Sequence, residues 1–121
     1  MALTGKRILL VDDEDVVVRA VSRQLRSAGA IVETALDGDD AVQKAARTLP
    51  DVVLMDVKMP GLGGVEAART IMSAGPTCVI FMSSPDCAES ALALGCPFFD
   101  KAADLRHVVR FVDAVLAQWR P

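Results

Sequence analysis

The chain has 121 residues, of which 52% are hydrophobic and 24% are charged, and its formal net charge is −3. This length predicts one domain spanning residues 1–121, and the apolar fraction excludes a disordered chain because a sizeable core can form. The acidic balance, in which we see no basic stripe, argues against direct nucleic-acid binding.

The sequence gives no sign of a membrane-bound or secreted protein. Its longest uncharged stretch, residues 70–85, is interrupted by Ser, Gly, Pro and Thr and is too broken to cross a bilayer. The first residues, MALTGKR, contain no apolar signal segment. Three cysteines at unrelated spacings favour reduced structural thiols. We therefore expect a cytoplasmic protein.

Strand and helix patterns alternate along the whole chain. Five short apolar runs predict buried parallel strands. The runs are Ile8–Val11, Ile31–Val32, Val52–Met55, Val79–Met82 and Phe98–Phe99. Apolar residues at helical spacing fill the segments between and after them, and the last helical stripe, from Leu105 to Trp119, is the clearest. The pattern predicts an α/β fold with a doubly wound parallel sheet and five helices.

Polar side chains follow four of these strands, at the point where each strand ends. They are Asp12, Asp13, Asp56, Ser83 and Lys101. Parallel strands share one carboxyl edge, where open α/β sheets bind ligands, so these groups should meet there. Three carboxylates, a hydroxyl and an ammonium suit Mg²⁺ beside a phosphoryl group. A structural role as a helix cap or turn residue would explain each acid alone. Such roles do not explain why all five polar groups stand at strand ends.

These motifs resemble the receiver domain of a two-component response regulator over nearly the whole length. They are the acidic pair Asp12 and Asp13, the segment MDVKMPG around Asp56, Ser83 after the fourth strand and Lys101 after the fifth. The resemblance implies the flavodoxin-like strand order 2-1-3-4-5. It also implies that Asp56 accepts a phosphoryl group from the phosphohistidine of a sensor histidine kinase or phosphotransfer protein.

The resemblance further implies the roles of the surrounding groups. Asp13, Asp56 and the backbone carbonyl of Lys58 would bind Mg²⁺, and Asp12 would reach it through water. Lys101 would pair with the phosphoryl oxygens and Ser83 would donate its hydroxyl to one of them. We leave open whether the Lys58 side chain tunes hydrolysis or is merely solvated.

The resemblance also implies a switch. Phe98, three residues before Lys101, would turn inward as Ser83 follows the phosphoryl group, although a plain core aromatic is the alternative. Because no output domain is expected after Trp119, the signal should leave through the face of the fourth helix, fifth strand and fifth helix. Phe111, predicted to be partly exposed there, would contact an unknown target or a homodimer mate.

Of four departures from the family pattern, two lead to structural predictions. Ala102 follows Lys101 where the family usually has proline, so we predict a trans Lys101–Ala102 bond, because a cis bond without proline costs about 3–4 kcal/mol. The stretch from Ser83 to Lys101 is short, so the fourth helix should also be short.

Two other function classes are alternatives. A pseudo-receiver would bind partners without phosphorylation, which the complete set of five residues argues against. A Mg²⁺-dependent phosphohydrolase of the haloacid-dehalogenase kind would carry a second acid two residues after its nucleophile, where this chain has Lys58. GLGG, residues 61–64, is not a nucleotide-binding GxGxxG and should open the third helix. The single histidine, His107, should lie on the surface.

Overall fold

The five apolar runs form five strands in the computed structural model, which describes residues 1–121. The strands are β1 (Arg7–Val11), β2 (Ile31–Ala35), β3 (Val52–Met55), β4 (Cys78–Ser83) and β5 (Phe98–Asp100). Neighbouring strands are all parallel, in the order β2-β1-β3-β4-β5. The predicted flavodoxin-like sheet is therefore confirmed.

Five helices follow the strands. They are α1 (Asp15–Ser27), α2 (Gly38–Thr48), α3 (Gly64–Ala74), α4 (Ala88–Ala93) and α5 (Val108–Gln118). The fourth helix has only six residues, as its short segment predicts, and a 3-10 turn at Pro85–Cys87 precedes it. None of the helices combines the length and apolar character that a membrane span requires.

Apolar residues at helical spacing continue beyond the end of two helices. Leu49 is not part of α2, because it adopts a left-handed backbone conformation with φ 50° directly before Pro50. The stripe from Leu105 to Trp119 is also not one helix: a 3-10 turn covers Leu105–His107, and Trp119 is extended after the helix ends. In both cases the apolar spacing continues past the residue at which the backbone leaves the helix.

The sheet separates two apolar layers. Ile8 and Leu10 of β1 contribute to the layer shared with α1 and α5, whereas Leu9 and Val11 contribute to the layer shared with α2, α3 and α4. This alternation follows from the two-residue period of a strand. Because both faces are covered, the apolar runs are continuous rather than alternating.

The hydrogen-bond ladder continues one residue beyond several strands. The Asp12 amide donates to the Ala35 carbonyl at 3.1 Å, and the Asp56 amide donates to the Val11 carbonyl at 2.9 Å. The Lys101 amide donates to the Ser83 carbonyl at 2.8 Å. The sheet itself therefore holds the backbone of three predicted site residues.

A close backbone approach explains one glycine of the GLGG segment. A Cβ on Gly64 would collide with the Asp56 carbonyl oxygen. The Gly64 amide donates to the Val57 carbonyl at 3.0 Å, and α3 begins at this glycine. The segment thus opens the third helix, as predicted, and lets it start directly against the loop that follows β3.

Candidate functional site

Three carboxylates form a crevice at the carboxyl edge of the sheet. One oxygen from each of Asp12, Asp13 and Asp56 lies within 4.8 Å of the others. Asp12 and Asp56 are buried, whereas Asp13 is exposed and faces solvent. Buried carboxylates need a compensating cation or hydrogen bonds, so this cluster is more than a surface feature.

Lys101 supplies part of that compensation. Its Nζ donates to Asp12 Oδ2 at 3.0 Å and to Asp56 Oδ2 at 3.1 Å. The lysine side chain is only 13% exposed, so these charge-assisted bonds are shielded from water. The structure therefore brings Lys101 to the two buried acids, 89 and 45 positions away in sequence.

Ser83 occupies the other oxygen of Asp56. Its hydroxyl donates to Asp56 Oδ1 at 2.7 Å, inside the buried part of the crevice. With Lys101 on Oδ2, both Asp56 oxygens are engaged and the carboxylate has a defined orientation. Ser83 thus already points at Asp56.

Burial and hydrogen bonding shift the ionisation of two of these groups. Burial is the largest influence on the Asp12 carboxyl and raises its pKa above the usual value, against the lowering effect of a hydrogen bond from the Glu14 amide. Burial lowers the pKa of Lys101, but hydrogen bonds to Glu14, Asp12 and Asp56 outweigh it, so the pKa is raised overall. Lys101 therefore remains a cation at neutral pH.

Glu14 is a site residue that the sequence analysis missed. Its carboxylate lies 2.6 Å from Lys101 Nζ, and its amide donates to Asp12 Oδ1 at 2.9 Å. The acidic run after the first strand, DDED, was its only signal in the sequence. Helix capping explained that acidic run equally well. Only the position of Lys101 shows that Glu14 belongs to the site.

The Lys58 side chain does not contact the acidic crevice. Its Nζ pairs with Asp86 Oδ2 at 2.5 Å, and the Ser84 hydroxyl donates to Asp86 Oδ1 at 2.6 Å. The hydrogen bond and charge of Lys58 lower the pKa of Asp86, with the Ser84 bond as a second cause. This pair connects the loop after β3 with the turn after β4, and the sequence carried no signal for Asp86.

The remaining predicted residues lie on β5 or follow it in the chain. Phe98 is half-buried and packs with the layer that contains α4, while Phe99 is the buried aromatic of β5. The Phe111 ring meets Phe99 edge to face, with ring centroids 5.2 Å apart. His107 is exposed, and the Lys101–Ala102 bond is trans, as predicted.

Comparison with known families and proteins agrees with this geometry. The model of the response regulator receiver domain family matches residues 8–109. The response regulator GacA of Pseudomonas viridiflava is 44% identical over 72 residues, which are 58% of this chain and 34% of that protein. A protein-glutamate methylesterase/protein-glutamine glutaminase of Archaeoglobus fulgidus is 43% identical over 79 residues, 64% of this chain and 23% of that protein. The matched segment thus spans about a third of the first relative and less than a quarter of the second.

Solved structures share the whole fold. The chemotaxis protein CheY4 of Vibrio cholerae is 28% identical with a TM-score of 0.81, over 93% of this chain and 99% of that one. The N-terminal domain of a response regulator/sensory box/GGDEF protein of Carboxydothermus hydrogenoformans is also 28% identical, with a TM-score of 0.82 over 93% and 94% of the two chains.

Proposed function

The chain belongs to the response regulator receiver domain family, and from this premise we propose that it is a signalling module switched by phosphorylation of Asp56. The observation that carries the proposal is the orientation of the Asp56 carboxylate, held by Ser83 on one oxygen and Lys101 on the other. The donor would be the phosphohistidine of a sensor histidine kinase or of a phosphotransfer protein.

The transfer is a displacement at phosphorus. A carboxylate oxygen of Asp56 forms a bond to phosphorus while the bond from phosphorus to the donor histidine nitrogen breaks, and the imidazole keeps that electron pair. The product is an acyl phosphate on Asp56. Lys101, 3.1 Å from the carboxylate, would pair with the phosphoryl oxygens, and the Ser83 hydroxyl would exchange its Asp56 acceptor for one of them.

The donor set of the crevice fits Mg²⁺. The ion prefers oxygen ligands and keeps several waters, so few protein ligands suffice. Asp13 and Asp56 with the Lys58 carbonyl, and Asp12 through water, would hold it; Asp13 is open to solvent and the three carboxylates lie within 4.8 Å. When bound, the ion supplies positive charge that offsets the repulsion between these carboxylates and the incoming phosphoryl group.

The output would leave through the face formed by α4, β5 and α5. Lys101 and Ser83 lie where β5 and β4 end, and Phe98 lies within β5. A phosphoryl group adds negative charge and strong acceptors, so it can bias Ser83 and Phe98 between two arrangements. Because Ser83 already points at Asp56, its movement should be small. The target would be another protein or a second copy of this chain.

The same proposal includes a cytoplasmic location and an activity confined to the domain's own phosphorylation and dephosphorylation. The three cysteines are free, which fits the reducing cytoplasm. We propose that residues 1–121 act as one receiver domain that transfers a phosphoryl group to itself and hydrolyses its own acyl phosphate, without any other substrate.

The test is phosphorylation with acetyl phosphate, followed by intact mass. We expect a gain of one phosphoryl group that needs Mg²⁺, disappears in Asp56→Asn and persists in Asp113→Asn, a matched change of an exposed acid on α5. Wild-type uptake by Asp56→Asn would contradict the assignment. No uptake by the wild-type protein would favour a pseudo-receiver, and continuous release of phosphate from p-nitrophenyl phosphate would favour a phosphohydrolase.

The output face has its own test. Beryllofluoride, a phosphoryl mimic, should change amide chemical shifts from Phe98 to Phe111 as well as around Asp56. A phosphorylation-dependent association should weaken in Phe111→Ala and in Ser83→Ala. If the shift changes stay within the crevice, the proposed switch is wrong.

A further inference from the structure

A basic groove lies between α1 and the outer edge of β2 and shares no residue with the acidic crevice. It has a volume of about 570 Å³. Its polar lining consists of Arg19, Ser22, Arg23, Arg26, Ser27 and Thr34. The three arginines are spaced by four and three residues, so they lie along one face of the helix.

One polar group on the lining has no partner. Ser22 is only 4% exposed, and its hydroxyl makes no hydrogen bond. An unpaired buried donor is costly, and buried hydroxyls in folded proteins are nearly always paired. A ligand that carries oxygen acceptors into the groove would satisfy this hydroxyl once it gains access to it.

The positive charge of the groove is largely uncompensated. Arg19 pairs with Asp15 at 2.8 Å on an exposed surface, where such a pair is weak, and Arg26 donates to the Val32 carbonyl at 3.1 Å. Arg23 has no ion pair. Glu33 of β2 pairs with Arg47 of α2 instead, consistent with the strand alternation that places it on the opposite face from Thr34.

The lining also defines the class of ligand. Guanidinium groups bind phosphate oxygens in a planar, bidentate geometry. Val18 is the single apolar residue of the lining, and no aromatic ring is present to stack on a base. We propose that this groove binds a small multivalent phosphate anion, such as pyrophosphate, through Arg19 and Arg23 with Ser22 donating its hydroxyl.

The experiment is a titration of the ¹⁵N-labelled protein with sodium pyrophosphate, without Mg²⁺ and at constant ionic strength. We expect saturable shift changes at Ser22, Arg23 and Thr34. Arg23→Gln should weaken binding about tenfold, the loss of one charge-assisted contact. Arg110→Gln, a matched change of an exposed arginine on α5, should leave the affinity unchanged. Ser22→Ala should weaken binding several-fold while its spectrum shows an intact fold.

Several outcomes would overturn the proposal. Chemical-shift changes that do not saturate would mean that pyrophosphate only screens the surface charges without binding at a site. The same conclusion would follow if the wild-type protein and Arg23→Gln showed equal changes. Tighter, Arg23-dependent binding to phosphatidylglycerol vesicles or to a short oligonucleotide would mean that the groove takes a larger phosphate-bearing partner. Phosphorylation of Asp56 plays no part in this test, so its result is independent of the function proposed above.

Discussion

Replacing Lys101 with methionine is the sharpest test of how the crevice is held together. Lys101 Nζ contacts Asp12 and Asp56, whose side chains are 0% and 4% exposed. Methionine keeps most of the side-chain volume but removes the cation. Asp12 and Asp56 would then be buried next to each other without a counter-charge, since the chain places no other cation within 4.0 Å of them.

The expected loss is large for a single substitution. Removing one partner of a buried ion pair typically costs about 3–5 kcal/mol, because the other charge remains buried and uncompensated. In a domain of this length each kcal/mol shifts the melting temperature by roughly 4 °C, so we expect a decrease of roughly 12–20 °C without Mg²⁺.

Urea unfolding at pH 7 measures this loss directly. Lys58→Met is the matched control: Lys58 is 63% exposed, and its pair with Asp86 should contribute little because water screens it. If Lys101→Met costs no more than Lys58→Met, the buried carboxylates do not depend on Lys101 and the electrostatic reasoning is wrong.

The pH dependence of this loss has a defined sign. The pKa of Asp12 is raised in the folded protein, mainly by burial, so ionisation of this carboxyl costs stability as the pH rises from its usual pKa through the raised one. Protonation at acid pH relieves that cost. The deficit of Lys101→Met relative to the wild-type protein should therefore shrink as the pH is lowered towards about 4, the usual pKa of an aspartate.

Three further predictions concern the metal site, Glu14 and the basic groove. Mg²⁺ at about 100 times its dissociation constant should stabilise the wild-type protein by roughly 2.7 kcal/mol in a thermal melt, and Asp13→Ala should lose most of that gain; an unchanged melting temperature would count against a metal site. Glu14→Gln should bind beryllofluoride more tightly in an NMR titration, because Lys101 loses a carboxylate that competes with the mimic. Weaker binding would show that Glu14 assists instead. Ser22→Ala should raise the free energy of unfolding by about 1 kcal/mol, because an unpaired buried hydroxyl is removed, and a loss measured in urea would mean that the hydroxyl is paired in solution.

Some of this site follows from one-dimensional pattern alone. Asp12, Asp56, Ser83 and Lys101 each stand at or directly after the end of an apolar run, and a parallel sheet brings such ends to one edge. The prediction needed no knowledge of side-chain positions, since it depends on strand direction and the position of each strand end.

The basic groove contradicts the inference from net charge that the chain has no basic stripe. A net charge of −3 suggested that the chain carries no basic stripe, yet Arg19, Arg23 and Arg26 are one turn apart on α1. Their helical spacing was present in the sequence. What the sequence could not show is that Ser22 lies beneath this face without a partner, because burial depends on how the helix packs against β2.

The sequence by itself determined the strands, the order in which they alternate with helices, and the residues at the carboxyl edge, because these depend on local periodicity. Only the tertiary structure decided the contacts between loops. Glu14 reaches Lys101, and the Lys58 side chain pairs with Asp86. Each of these contacts joins side chains from two loops. Sheet order, loop path and side-chain rotamer together set the distance between them, and the spacing of neighbouring residues encodes none of these factors.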